Sequence, residues 1–194
     1  MKNLLTFLLS ATLFIGNLQA ANFDTAADGA WGNGATWTTT VPASNPTVNS
    51  DVITISHNVT LTGNLSVKGG TILNVASGFT LTINGDVTFQ NNSEVNIEGT
   101  LVINGDVTNN NNSDEVIING VISIDGNFDG GNGSGVLGSG SMDITGTATT
   151  SGTGDIFGST FDCTTPGDCS SSAASPLPIE LINWQGDNKN ATNH

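Results

Sequence analysis

Two aspartates stand at the same place in two copies of one octapeptide. The copies, Leu-Thr-Ile-Asn-Gly-Asp-Val-Thr and Leu-Val-Ile-Asn-Gly-Asp-Val-Thr, contain Asp86 and Asp106, and weaker copies put Asn64 and Asn127 at the equivalent positions. Paired carboxylates can bind Ca²⁺ or act as the acid and base that cleave a glycosidic bond. They can also accept hydrogen bonds from turn amides while water screens their charge. We favour this last interpretation and expect no cofactor, with Ca²⁺ at this column as the alternative.

Two tryptophans, Trp31 and Trp37, lie close together near the start of the chain. An exposed indole ring can stack on a sugar, which would make this segment a glycan contact. A repeat fold also needs its open end covered, because an uncovered coil exposes core side chains and unpaired backbone groups. We favour an N-terminal cap and keep glycan contact through these two residues as the alternative.

The repeats in which the aspartates lie predict the fold class. Apolar and polar residues alternate in each copy, and the spacing between copies leaves room for three short strands and their corners. A unit this short cannot bury its own apolar face and must stack on its neighbours. The sequence therefore predicts an all-β protein, a right-handed parallel β-helix of about five coils with an N-terminal cap. An antiparallel sandwich is the alternative, but it does not explain why equivalent strands are nearly identical.

Two series of strands are readable in the repeats. One is the octapeptide series, and the other begins at 72–75 and continues at 95–97, 116–118 and 142–144. The Gly-rich segment 130–135 is expected to stretch one coil by about five residues as a loop. The glycines that end the later strands are expected to supply positive φ at the corners. Alternation predicts these inward-facing residues: Leu61, Leu65, Leu73, Val75, Ile83, Val87, Val95, Ile97, Ile103, Val107, Ile118, Ile124, Phe128 and Ile144.

The segment 1–20 predicts export. Lys2 precedes a short apolar run, and Leu18-Gln19-Ala20 forms a cleavage site before Ala21. The run is too short to cross a membrane and no later run is longer, so we expect no membrane insertion and a secreted or cell-surface location. The mature chain would have two lysines and no arginine against 17 acidic residues, a formal charge of −15. This charge excludes nucleic acid and anionic lipid as electrostatic partners.

Two cysteines, Cys163 and Cys169, enclose five residues near the end of the repeats. In an exported chain such a pair predicts a local disulfide. A zinc site is disfavoured, because the two histidines, His57 and His194, are far apart in the sequence.

The patterns divide the chain into five segments. Small residues separate the repeats from a strand-like run that has no partner in the sequence, and we interpret that run as a truncated module. The boundaries are 1–20 for the signal peptide, 21–50 for the N-terminal cap, 51–170 for the β-helix with its terminal Cys163–Cys169 loop, 171–175 for the linker and 176–194 for the start of a C-terminal β module.

Two of these segments resemble known sequence types. Trp31, Trp37 and Val41-Pro42, followed by Asp51-Val52-Ile53-Thr54-Ile55, resemble the opening of secreted Bacteroidetes β-solenoid proteins and, more loosely, the extracellular G8 domain. Leu177-Pro178-Ile179-Glu180-Leu181 is similar to the strand that opens a C-terminal β-sandwich module in proteins exported by the type IX secretion system of that phylum. These resemblances imply a secreted or surface-displayed protein, often adhesive or associated with polysaccharide.

The leading hypothesis for function is a non-catalytic, adhesin-like stalk outside the cell. Its contrasting alternative is a protein that binds or degrades polysaccharide through the tryptophan end or the aspartate column. Catalysis is disfavoured, because the repeats contain one lysine, Lys68, for the basic chemistry of a lyase, and a short solenoid has little surface for a long substrate. An extracellular polysaccharide or a cell-surface component is the expected class of partner. The patterns determine neither the ligand nor the oligomeric state.

Overall fold

A computed structural model describes residues 20–110, 116–132, 135–151, 155–157 and 169–172. Residues 1–19 of the predicted export signal, residues 173–175 of the predicted linker and the predicted C-terminal module lie outside this part of the chain. One short 3-10 helix, η1 (Gly34–Thr36), accompanies the strands. In chain order the strands are β1 (Asn22–Asp24), β2 (Gly29–Ala30), β3 (Val52–Ile55), β4 (Val59–Thr62), β5 (Leu65–Val67), β6 (Ile72–Val75), β7 (Thr80–Asn84), β8 (Val87–Phe89), β9 (Glu94–Ile97), β10 (Thr100–Ile103), β11 (Val107–Asn109), β12 (Val116–Ile118), β13 (Val121–Ile124), β14 (Phe128–Asn132), β15 (Val136–Leu137), β16 (Ser141–Ile144), β17 (Ala148–Ser151) and β18 (Cys169–Ser172).

The strands form three sheets, to each of which every coil contributes one strand. Their orders are β1-β3-β6-β9-β12-β15 for the first sheet, β2-β4-β7-β10-β13-β16-β18 for the second and β5-β8-β11-β14-β17 for the third. Neighbouring strands are parallel except for β16 and β18, which are antiparallel. Five successive coils carry all three strands, so four turns separate the first from the last. The predicted all-β parallel β-helix is confirmed, and its right hand stays a prediction of the crossover rule.

The two octapeptide copies lie side by side, with their first halves in the second sheet and their last two residues in the third. Leu81 is opposite Leu101 and Ile83 is opposite Ile103, and all four side chains are fully buried. Every residue that alternation predicted to face inward is buried, so the predicted register is confirmed. Removing each such aliphatic side chain from water contributes about 1.5–3 kcal/mol, which explains why short strands suffice when they stack.

The last member of the predicted second strand series is wrong. Residues 142–144 belong to β16, which pairs with β13 in the second sheet, whereas β15 continues the first sheet through the pair Val116 and Val136. Val116 and Val136 are as far apart in the sequence as equivalent residues of other neighbouring coils, so the Gly-rich segment 130–135 does not lengthen the coil. Residues 130–132 are instead part of β14, with an irregular register against β17. The β15 strand escaped notice because it has only two residues.

The corner glycines are needed for close backbone approach. Positive φ was expected at the glycines that end the second series, and this is wrong for Gly99, Gly120 and Gly146. A Cβ on any of these would collide with backbone of the neighbouring coil. At Gly105 the added Cβ would lie 2.5 Å from the carbonyl oxygen of Gly85. Stacked corners therefore leave no room for a side chain at these positions.

The N-terminal segment covers the first coil on all three sheets. β1 extends the first sheet and β2 extends the second. On the third sheet, the backbone N–H of Ser66 donates to the Ser44 carbonyl (2.7 Å) and that of Thr47 donates to the Ser66 carbonyl (2.9 Å). Backbone groups that would otherwise form a free sheet edge are thereby paired.

Candidate functional site

The predicted polar column lies at the corner between the second and third sheets. Asn64 Oδ1 accepts a hydrogen bond from the backbone N–H of Asp86 (2.9 Å), and Asp86 Oδ1 accepts one from the backbone N–H of Asp106 (3.0 Å). Asp106 Oδ1 in turn accepts the backbone N–H of Asn127 (2.8 Å). Asn127 Oδ1 accepts both the backbone N–H and the hydroxyl of Thr147, each at 2.9 Å. These five residues form the corner ladder.

The backbone explains why the ladder requires short oxygen-bearing side chains. The backbone N–H of Val87 donates to the carbonyl oxygen of Asp106 (2.8 Å), so the parallel ladder of the third sheet begins immediately after the corner. The N–H of Asp106 itself points to the previous coil, where the Asp86 side chain accepts it. Gly85 and Gly105 let the two coils approach closely enough for this contact. Asn or Asp fits because its oxygen reaches one coil along the axis.

Thr147 is the ladder member that the octapeptide comparison missed. It lies one coil after Asn127 and directly follows Gly146, as Asp86 and Asp106 directly follow a glycine. The repeat spacing identifies Thr147 once the preceding strand, β16, is placed in the second sheet.

The geometry of Asp86 and Asp106 matches the capping interpretation. One oxygen of each carboxylate is engaged by a backbone amide of the next coil, in contacts that lie at the exposed surface. At a coil spacing of about 4.8 Å, two unit charges repel by roughly 1 kcal/mol in water, which amide dipoles at each step offset. Among the described residues no three His, Cys, Asp or Glu side chains cluster as metal ligands. Calcium binding at the column stays the alternative interpretation.

The two tryptophans lie inside the N-terminal cap. Trp31 and Trp37 are 2% and 4% exposed, with ring centroids 4.9 Å apart in an edge-to-face arrangement at 73°. The Nε1–H of Trp31 donates to the Pro42 carbonyl (2.9 Å) and that of Trp37 donates to the Trp31 carbonyl (2.7 Å). Both rings are therefore used in packing, and neither presents a face on which a sugar could stack.

An open cavity of about 450 Å³ lies beside the cap. Its walls include Val41, Pro42, Thr60 and Thr62, together with the buried Trp31. Val41 is 37% exposed, so the accessible wall consists of small aliphatic and hydroxyl side chains. Such a surface offers few directional contacts to a ligand.

Further polar side chains join neighbouring coils on the outside of the solenoid. Sequence reasoning did not identify these pairs, although their members are separated by the same interval as the repeats. The amide groups donate as follows: Asn104 Nδ2 to Asn84 Oδ1 (2.6 Å), Asn96 Nδ2 to Asn74 Oδ1 (3.0 Å) and Asn119 Nδ2 to Glu98 Oε1 (2.7 Å). They strengthen the stacking that the buried residues begin.

Cys169 is buried and disulfide-bonded. It lies in β18, directly opposite Ile144 of β16 at the C-terminal edge of the second sheet. Cys163, its predicted partner, lies outside the described residues. A covalent link at this position holds the strand that covers the last coil.

No family model, curated protein or solved structure matches the chain. Within the described ranges, no helix is long and apolar enough to cross a membrane. Because no matching protein was found, the function is inferred from the fold and the side-chain geometry.

Proposed function

We propose that this protein is a non-catalytic structural stalk, an adhesin-like β-solenoid displayed outside the cell. The corner ladder is the observation that carries the proposal. Asp86 and Asp106, the acidic residues best suited by spacing to chemistry, each accept a backbone N–H of the next coil. Trp31 and Trp37 are likewise bound within the cap. Side chains that could bind or cleave a polymer thus serve the stacking of coils, as a rigid spacer requires.

The extracellular location is supported by three features of the sequence. The segment 1–20 has the pattern of an export signal, and the mature chain has a formal charge of −15. The opening segment and Leu177-Pro178-Ile179-Glu180-Leu181 resemble parts of secreted Bacteroidetes proteins. A strongly acidic solenoid would repel its neighbours on a surface.

A polysaccharide-binding protein is the second candidate. The 450 Å³ cavity beside Val41, Pro42 and Thr60 supports it, because this is an accessible concavity next to Trp31. The burial of Trp31 weighs against it, since sugar-binding sites commonly use an exposed aromatic face.

Deleting one coil tests the spacer proposal. Removal of residues 87–106 joins Asp86 to Val107, and this junction has the same local sequence as the two natural ones. A stalk should remain folded and become shorter by about 4.8 Å, which small-angle scattering and thermal melting would measure. The matched control removes residues 87–96, half a coil, and should not fold because the next strand would meet the wrong sheet. Collapse of the full-coil variant would contradict a modular spacer.

A glycan array and a reducing-sugar assay on the mature chain test the second candidate. The stalk proposal expects neither binding nor sugar release. Reproducible release that Asp86→Asn abolishes would overturn it in favour of catalysis at the column. Binding that Thr60→Trp blocks, with Asp86→Asn unaffected, would place a glycan in the cavity beside the cap.

A further inference from the structure

One carboxylate is buried and incompletely bound. Asp51 is 3% exposed and immediately precedes β3, where its backbone carbonyl accepts the N–H of Ile72 (2.8 Å). Its Oδ1 accepts the backbone N–H of Ala21 with an N···O distance of 3.3 Å. Its Oδ2 has no hydrogen-bond partner among the described residues. A buried carboxylate oxygen without a partner is costly, so this position calls for an additional donor.

The residue that contacts Asp51 is the first residue of the predicted mature chain. Ala21 is partly buried against the core, and its carbonyl oxygen accepts the N–H of Val52 (2.9 Å). Ala20 is exposed. The chain therefore enters the fold at the Ala20–Ala21 bond, which is also the bond that the Leu18-Gln19-Ala20 pattern marks for cleavage. Two independent observations thus point to the same bond.

We propose that removal of the export signal completes the Asp51 site, by creating an α-ammonium group on Ala21 that forms a buried ion pair with the Asp51 carboxylate. In this hydrolysis, water adds across the Ala20–Ala21 peptide bond. Ala20 leaves with the signal peptide as a carboxylate, and the nitrogen of Ala21 becomes an amine that takes up a proton. The inference rests on the predicted cleavage site and does not depend on the stalk function.

The chemistry of the new group matches what Asp51 lacks. A peptide N–H offers one donor and no net charge, whereas an ammonium group offers three donors and a positive charge. The nitrogen already lies 3.3 Å from Oδ1, and the additional N–H groups of an ammonium are available to Oδ2. Besides this α-ammonium group and its histidines, the mature chain has two positively charged groups, the side chains of its two lysines. The processed protein thus gains a pair that the precursor cannot form.

Four variants of the mature chain test the proposal by thermal melting. Chains that begin at Ala21 or at Ala20 are each made with Asp51 or with Asp51→Asn. The extra Ala20 moves the ammonium group to an exposed position and leaves an ordinary amide at Ala21, so it is the matched control. With Asp51 present, the chain that begins at Ala21 should melt higher by roughly 4–10 °C. With Asp51→Asn the difference between the two starts should disappear.

The proposal would be overturned if, with Asp51 present, the chains starting at Ala21 and at Ala20 melted at the same temperature. It would also be overturned if the two starts differed by the same amount with Asp51 and with Asp51→Asn. A second measurement needs no substitution, in case Asp51→Asn fails to fold. The α-amine of each Asp51 chain is acetylated and the rate is followed by mass spectrometry. The Ala21 amine should react several-fold more slowly than the Ala20 amine, because pairing withholds its lone pair. Equal rates would show that the amine is free and the ion pair absent.

Discussion

In the corner ladder, side-chain oxygens accept the backbone N–H groups of the next coil. Asp86 and Asp106 occupy the same position in two copies of the repeat. Each accepts a backbone N–H of the next coil that the regular sheet hydrogen bonds leave unpaired. Asn64 and Asn127 perform the same task, so a carboxylate is not required for it. What the position requires is an acceptor oxygen of the right length. Negative charge at two of the four positions predicted to form the column is therefore incidental to stacking.

Substitutions at Asp106 separate the acceptor from the charge. Asp106→Asn retains the Oδ1 that accepts from Asn127, whereas Asp106→Ala removes it together with the side-chain hydrogen bond at 3.1 Å. We expect Asp106→Ala to lower the free energy of unfolding by about 1 kcal/mol and Asp106→Asn to change it by less than about 0.5 kcal/mol. Urea unfolding measures both values. An Asn variant as unstable as the Ala variant would show that charge, and not the acceptor, is what matters.

The corner glycines make a steric prediction. Gly105→Ala would place Cβ 2.5 Å from the carbonyl oxygen of Gly85, a backbone atom that cannot move without separating the coils. We expect a loss of about 3 kcal/mol in the free energy of unfolding. Gly32→Ala is the matched control, because no heavy atom lies within 4 Å of its added Cβ. Circular dichroism of both variants during thermal melting measures the difference, and similar melting temperatures would refute the close approach.

At the scale of the strands, alternation and stacking act together. In β10 the pattern alternates buried Leu101 and Ile103 with the less buried Thr100 and Val102. Each buried side chain then meets its equivalent in the coils above and below. A strand of four residues has little stability alone, but it is paired on both edges and packed on one face. The same logic holds for β15, which is recognisable from the coil spacing and not from its own sequence.

Adjacent substitutions in β10 test which face is inside. Ile103→Asp would place a charge without a partner in the core, and we expect it to prevent folding. Val102→Asp would place the same charge on the outer face, between Thr82 and Ser123, at a cost of about 1 kcal/mol or less. Thermal melting distinguishes them. Equal losses would mean that the register of β10 is wrong.

At the scale of the whole molecule, the ends and the charge determine the behaviour. The N-terminal cap pairs the open edge of every sheet, and β18 covers β16 at the other end of the second sheet. The predicted mature chain has a formal charge of −15, with two lysines against 17 acidic residues. The covered sheet edges and the net negative charge both oppose edge-to-edge association.

The charge predicts a dependence on salt. Self-repulsion should destabilise the protein at low ionic strength, and about 0.1 M salt should relieve it because the Debye length falls to about 10 Å. We expect CaCl₂ and NaCl of equal ionic strength to raise the melting temperature equally, since the ladder oxygens already accept backbone hydrogen bonds. An additional rise with millimolar Ca²⁺ that Asp106→Asn erases would instead reveal a specific calcium site.

Period, fold class and core face follow from the sequence alone. A short repeat with alternating polarity in each copy allows few ways to bury its apolar side chains, and Ile83 and Ile103 face inward in all of them. The polar column was also predictable, because equivalent positions of a solenoid must stack. These features depend on local pattern and on periodicity, and both can be read from the amino-acid sequence.

The tertiary structure decided the features that depend on contact between different coils. It assigned Met142 to the second sheet, because the position of a strand follows from coil length and not from its composition. It showed that the backbone of Gly85 lies where a side chain at Gly105 would be, and that the Trp31 ring is buried in the cap. It also brought Asp51 to Ala21 from a distant part of the sequence. Distances between residues from separate parts of the chain exist only after the coils have stacked, so no local pattern could contain them.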